Sequence, residues 1–331
     1  MLPRIVLVAL CVFGVGTVNF TSGQDDVIRV DTTLVSVPIT AVDRDGRYVL
    51  GLKKENFKVF EDGTEQEVEY FGSVNLPVTV LLLLDCSGSM GENLQTMAQA
   101  AGSFMSRLKV DDQVMILSFA HDVEEALPLT KLKDFPRTIQ IHQRSRVHTR
   151  VYNAVDAALR KIENVKGRKA IILFTDGVSD EPDTLAKKNA HDAEEQEALI
   201  YTVRFAQAVP TARSNAPLKK SFNDGDAKSR DRRVTYADPN SGGDLDRKVN
   251  AYMTGLAAKS GGRAFNIDTI TDLPKTFGDI AAELKRQYTL GYYSNNPNQP
   301  GGHRNLKVTV NIPNTIVRTR NGVTALKPKS N

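Results

Sequence analysis

Leu81 to Met90 reads LLLLDCSGSM, and it closes a longer apolar run that starts at Val78, VTVLLLL (78–84). A strand with one wet face alternates apolar and polar residues. A run without alternation marks a strand covered on both faces, as in a parallel sheet flanked by helices. The run stops at Asp85, and oxygen-bearing side chains follow at alternate positions, Ser87 and Ser89.

The residues downstream repeat the theme. Leu94, Met97, Ala101, Phe104 and Leu108 recur at helical spacing, and DQVMILSFA follows as a strand. VYNAVDAALRKI places Tyr152, Val155, Leu159 and Ile162 on one helical face. KAIILFTDG (169–177) is a second continuously apolar strand that ends in an aspartate, Asp176. TLAKKNAHDAEEQEA reads as a helix, LIYTVRFA as a strand, NAYMTGLAAKSGG as a helix with a glycine stop, RAFNID as a strand and LPKTFGDIAAELKRQ as a helix. Strands alternating with helices predict an α/β fold with a doubly wound, mostly parallel sheet. The expected span of this domain is 76–291. Residues 207–248 differ from their surroundings. They are charged and rich in Ser, Asn, Gly and Asp, and are expected to be a mobile insertion leaving the carboxyl end of a strand.

Both flanks have period two. Val35, Val37, Ile39 and Ala41 alternate with polar residues and with Pro38, which suggests an edge strand. DRDG (43–46) is read as a hairpin turn rather than a calcium loop, being too short and flanked by strands, and EDG (61–63) is a further turn. Leu306, Val308, Val310 and Ile312 alternate in the same way after PNQPGG (297–302). Residues 27–75 and 303–326 are therefore expected to form a small β-rich domain from both chain ends.

The N-terminus has the form of a signal peptide over residues 1–23: a short positive start, an apolar run IVLVALCVFGVGTV, then a polar turn with Thr21 and Gly23 at the cleavage positions. An uncleaved anchor helix is the rival. Asn19-Phe20-Thr21 is a glycosylation triplet, but inside the segment expected to be removed. The chain has 331 residues and a net charge of +4, and removing residues 1–23 takes away one Arg and no acid, leaving +3. No basic helix or aromatic-interleaved stripe accompanies that mild charge, so nucleic acid is a poor partner. Removal of the signal also leaves Cys86 as the single cysteine, so no internal disulfide is expected and the fold rests on its core. The mature chain is expected to be exported, periplasmic or secreted, with no membrane span.

In an open α/β sheet, ligands sit beyond the carboxyl ends of the strands. Asp85 and Asp176 both stand where a buried strand meets its loop, at the same rim. Alternation through the turn aims Asp85, Ser87 and Ser89 at one site, with Cys86 and Gly88 turned away. Oxygen-only donors suit hard divalent cations: Mg²⁺ or Mn²⁺ when octahedral, Ca²⁺ in a roomier shell.

DCSGSM resembles the D-x-S-x-S signature of the von Willebrand factor A domain, as in integrin I domains. The resemblance implies a metal-ion-dependent adhesion site (MIDAS) completed by a threonine and a second aspartate, which match Thr149 in HTRVYNAV and Asp176 in LFTDG. It implies that Ser87 and Ser89 bind the cation directly. Thr149, Asp85 and Asp176 would join directly or through water, and a carboxylate of a protein partner would fill the open position. The expected cofactor is Mg²⁺, with Mn²⁺ or Ca²⁺ as alternatives. The family usually has glycines before the threonine, whereas RSRVH stands here, and His148 adjoins it as a possible sixth ligand or a plain loop residue. GLKKENFKVFEDGTEQEVEYF and ELKRQYTLGYY are similar to the flanks of the von Willebrand A-related exported proteins of acidobacteria.

Rival classes remain beside this reading. Aspartates and serines at these positions also serve as turn formers and helix caps. A serine hydrolase would want G-x-S-x-G with a placed histidine, and CSGSM lacks the first glycine. Cys86 as a nucleophile is a further alternative at a strand–helix junction. The expectation is a non-enzymatic module for metal-dependent adhesion. The alternatives are a scaffold that does not use the metal, or a hydrolase.

Overall fold

The apolar run at 78–84 forms a strand that is buried along its whole length. The computed structural model describes residues 34–72, 76–136, 139, 141–142, 149–177, 179, 181–205, 241–295 and 302–324, with the side chains of 241–245 left aside. The expected signal peptide, the glycosylation triplet, PNQPGG up to Gly301, His148 and residues 207–240 of the expected insertion lie outside these.

In chain order the elements are β1 (Leu34–Asp43), β2 (Phe57–Glu61), β3 (Thr64–Gln66), β4 (Val68–Gly72), β5 (Val78–Asp85), α1 (Leu94–Met105), β6 (Gln113–Phe119) and β7 (Val123–Lys131). They continue with α2 (Val151–Glu163), β8 (Arg168–Thr175), α3 (Asp183–Glu195), β9 (Ala198–Phe205), α4 (Ser241–Ser260), β10 (Ala264–Ile267) and α5 (Leu273–Leu284). The last are β11 (Tyr288–Tyr293), β12 (His303–Val310), β13 (Thr315–Arg318) and β14 (Gly322–Thr324).

Six strands form one sheet in the order β10-β9-β8-β5-β6-β7. All neighbours are parallel except β6 and β7. Helices cover both faces, which is why β5 carries no alternation. Val80, Leu82 and Leu84 pack with Met97 and Phe104 of α1 and with Phe277 of α5. Leu81 and Leu83 pack with Val155 and Leu159 of α2 and with Met253 of α4. Each of these leucines is fully buried, worth roughly 1.5–3 kcal/mol apiece. This is a Rossmann-like, doubly wound sheet. The chain leaves β5 toward β6 on one side and later builds β8, β9 and β10 on the other, so the order reverses between β5 and β8.

Two four-stranded antiparallel sheets come from the chain ends, β13-β1-β11-β4 and β14-β12-β2-β3. Val37, Ile39, Phe57, Val59, Tyr288 and Leu306 fill the space between them. Phe57 and Tyr288 meet with ring centroids 5.5 Å apart. Glu61, 3% exposed, is satisfied inside by Arg304 Nη1 at 2.8 Å and the Tyr292 hydroxyl at 2.6 Å. A buried charge is tolerated where partners of this kind surround it.

Four features differ from the sequence reading. YTLGYY, expected inside the α/β domain, is β11 and pairs antiparallel with β1 and β4. Its inward residues Tyr288, Leu290 and Tyr292 complete the core of the end sheets. Helix α4 starts at Ser241, so residues 241–248 of the expected insertion are helical. Their polar composition hid a turn that serves Val249, Met253 and Leu256 in the core. Strand β1 is internal, not an edge. Pro38 is tolerated because β13 pairs only with Thr40–Asp43, leaving Pro38 a single neighbour strand. Finally, β7 was not anticipated, because a half-exposed antiparallel edge with Pro128 and charged residues has neither sequence period. DRDG is a hairpin turn, closed by the Gly46 N–H on the Asp43 carbonyl at 3.0 Å.

Candidate metal-binding site at the strand rim

Asp85 ends β5 and is fully buried. Its Oδ1 accepts the Ser87 N–H at 2.9 Å, and its Oδ2 accepts the Thr175 hydroxyl at 2.6 Å. Asp85 is thus anchored both to its own turn and to the neighbouring strand β8. The Thr175 oxygen in turn accepts the Gly177 N–H at 2.9 Å. Gly177 has φ +82°, and a Cβ there would lie 2.2 Å from Val249 Cγ1 of α4. Only glycine fits that turn.

Above Asp85 the hydroxyls assemble. Ser87 Oγ and Ser89 Oγ are 3.1 Å apart, and the Ser89 hydroxyl donates to Asp176 Oδ2 at 2.6 Å. Ser87 is buried, while Ser89 is exposed and Asp176 is partly so. The arrangement is a shallow well with a carboxylate at its base and a hydroxyl and a carboxylate at its mouth. It lies at the carboxyl ends of β5 and β8, where the strand order reverses and ligands of such sheets collect. Cys86 goes the other way. Its Sγ sits 3.6 Å from the Leu84 carbonyl, within the core that holds Met90.

The electrostatics follow from burial. Desolvation, and after it the charge of Asp176, push the Asp85 carboxyl up to about 6, against the hydrogen bonds from Thr175 and Ser87. The nearby charge of Asp176 adds to the cost of ionising Asp85, a cost that a bound cation would relieve.

Thr149 stands at the start of α2 and is partly buried. Its carbonyl accepts the Ser179 hydroxyl at 3.4 Å, and the N–H of its neighbour Arg150 donates to the Ala120 carbonyl at 2.8 Å. No hydrogen bond among the described residues joins the Thr149 side chain to the other four. Four of the five expected ligands are therefore brought together, with Thr149 on an adjacent loop.

Three supporting residues were not singled out from sequence: Thr175, Ser179 and Glu181. The Glu181 carboxylate accepts the N–H groups of Tyr152 at 2.6 Å and Asn153 at 3.0 Å, capping α2 from outside, and takes the Ser179 hydroxyl at 2.9 Å. An acidic group there also meets the positive end of the helix dipole. The loop that follows Asp176 is thus fastened to the helix that follows Thr149. Thr175 was legible as part of the TDG turn. Glu181 left no local signal as a cap, because the helix N–H groups it accepts lie 28 and 29 residues away.

Residues 79–241 match the family model of the von Willebrand factor type A domain. The chain carries a von Willebrand factor type A domain. All five expected ligands fall within the matched span. No curated protein matches the chain. Solved structures similar to it include BatB from Bacteroides thetaiotaomicron, 20% identical over 62% of this chain and 97% of that one, with a TM-score of 0.39. An aerotolerance-related membrane protein from Bacteroides fragilis is 18% identical over 62% and 99%, with a TM-score of 0.38. A von Willebrand factor type A protein from Catenulispora acidiphila is 10% identical over 89% and 74%, with a TM-score of 0.42. Among the described residues of this A-domain protein, no helix is long and apolar enough to cross a membrane.

Proposed function

We propose that the A domain binds one divalent cation through Asp85, Ser87, Ser89, Thr149 and Asp176, and uses it to hold an acidic side chain of a protein partner. The supporting observation is the well itself, in which Ser87, Ser89 and Asp176 are linked at 2.6–3.1 Å over the buried Asp85 carboxylate. The donor set consists of hydroxyl and carboxylate oxygens, which suits Mg²⁺, with Mn²⁺ or Ca²⁺ as alternatives.

The protein's part is preorganisation. Thr175 and the Ser87 N–H hold Asp85 in place, so its carboxylate does not rearrange when the site fills. Ser89 and Asp176 face the opening and meet the partner. When bound, the cation supplies a positive charge that a partner carboxylate can approach. Burial of Asp85 removes competing water from the base of the well. The reading is of binding without catalysis. The core position of Cys86 speaks against a thiol nucleophile. We place the protein outside the cytoplasm, on the strength of residues 1–23.

One observation favours a second reading. Both Asp85 oxygens already accept hydrogen bonds within the protein, as they would in a purely structural turn of a scaffold that does not use metal. Calorimetric titration of Mg²⁺, Mn²⁺ and Ca²⁺ into the metal-free chain separates the two. Saturable one-site binding that is lost in Asp85→Ala supports the metal site. Absence of heat for all three cations moves the scaffold reading to first place.

A further inference from the structure

A second cleft lies away from the metal well, where the six-stranded sheet meets the end sheets. Its volume is about 570 Å³. It is built on β10 and α4 on one side and on β12 and β13 on the other. Two strands, β9 and β8, separate β10 from β5, so the cleft and the well do not share residues.

Three properties coincide there. The first is charge. Arg263, Lys307 and Arg318 line the cleft, and among the described residues no acidic side chain does. Arg318 is committed to the buried Glu283, whereas neither Arg263 nor Lys307 forms an ion pair among the described residues. Arg263 stacks over the Phe265 ring with its guanidinium carbon 4.5 Å from the centroid.

The second property is apolar lining, from the exposed Ala258 and the partly buried Ala264 and Val317. The third is backbone. β10 and β13 are each the last strand of their sheet among the described strands. Open strand edges are usually covered or used, because their N–H and C=O groups are ready to pair with another extended chain. Here two of them border one cleft whose charge is of one sign.

We propose that this cleft holds an extended acidic segment of a partner protein. Backbone pairing to an open edge would supply the binding frame, Arg263 and Lys307 would select carboxylate side chains, and the apolar lining would take the alternate side chains. The site goes beyond the metal-dependent reading and does not require it.

The test uses the full chain and a fluorescein-labelled octapeptide of alternating Glu and Val, read by anisotropy. Controls are the matching Lys–Val octapeptide, an N-methylated Glu–Val octapeptide that cannot pair as a strand, and inorganic phosphate as competitor. Saturable binding of the Glu–Val peptide, at least tenfold weaker for the Lys–Val and N-methylated forms, is the expected result. R263Q/K307Q should weaken it at least tenfold and R263K/K307R should retain it, with thermal unfolding confirming that both variants fold. EDTA should leave it unchanged. Equal binding of the Lys–Val or N-methylated peptide, full displacement by phosphate, or loss with EDTA would each overturn the proposal. So would no saturable binding, or undiminished binding by folded R263Q/K307Q. Loss with EDTA would move the peptide to the metal well, so failure here and failure of the metal reading are told apart.

Discussion

The Ser89 hydroxyl reaches Asp176 Oδ2 at 2.6 Å, joining the turn after β5 to the turn after β8 across 87 residues of chain. Both residues lie at the mouth of the well. Their removal should therefore act on cation binding more than on stability. Ser89→Ala and Asp176→Ala should each weaken Mg²⁺ affinity at least tenfold by calorimetry, while the urea midpoint shifts by less than about 1 kcal/mol equivalent. A large loss of stability with unchanged cation affinity would make the pair a structural brace.

Thr175 behaves differently, because it lies beneath the well. Its hydroxyl gives one hydrogen bond to Asp85 and takes one from Gly177. Thr175→Val keeps the shape and strands a buried carboxylate oxygen and a buried N–H. The cost should be about 1–3 kcal/mol in urea unfolding. An unchanged midpoint would show that water replaces the hydroxyl and that Asp85 is less tightly held than its burial suggests.

Glu181 caps α2 from another loop. Glu181→Ala should cost about 0.5–2 kcal/mol, the range for losing a side-chain cap. The local signature is faster amide exchange at Tyr152 and Asn153, whose N–H groups lose their acceptor. Glu181→Gln, which keeps an acceptor oxygen, should recover part of the protection. Unaltered exchange at both amides in Glu181→Ala would remove the cap from the account.

Glu194 on α3 fixes the direction of an acid effect. Burial works against its charge, but the hydrogen bonds of Lys259 at 2.7 Å and His303 at 3.2 Å outweigh it and hold the carboxyl below the ordinary range. A carboxylate depressed on folding adds stability above its unfolded pKa and loses it as pH falls through the folded value. Thermal midpoints of the wild type should therefore fall more steeply below about pH 4.5 than those of Glu194→Gln. Parallel curves would show that the pairing adds nothing to folding.

Much of the site was legible because its residues carry local chemistry. Asp85, Ser87 and Ser89 sit at alternate positions in one turn, and Asp176 closes a second apolar run, so the strand pattern alone put them on one rim. Thr149 was legible by resemblance only, and among the described residues no hydrogen bond joins its hydroxyl to the other four. Fold features were lost where one element serves two demands. The inward residues of β11, Tyr288, Leu290 and Tyr292, alternate, yet they follow α5 so directly that their sheet was misassigned. The first turn of α4 is polar because only its later residues Val249, Met253 and Leu256 meet the core.

From the sequence alone came the buried parallel strands, their alternation with helices, and the rim with its oxygen donors. Those follow from periodicity, which a strand covered on both faces, or a helix with one dry side, imprints on neighbouring residues. Only the tertiary structure decided that Thr175 anchors Asp85, that Glu181 ties the Asp176 loop to α2, and that β11 closes the end sheets. These rest on hydrogen bonds and pairings between residues 28 to 259 positions apart. Such contacts leave no period in the chain, because each depends on where the fold brings two distant segments together.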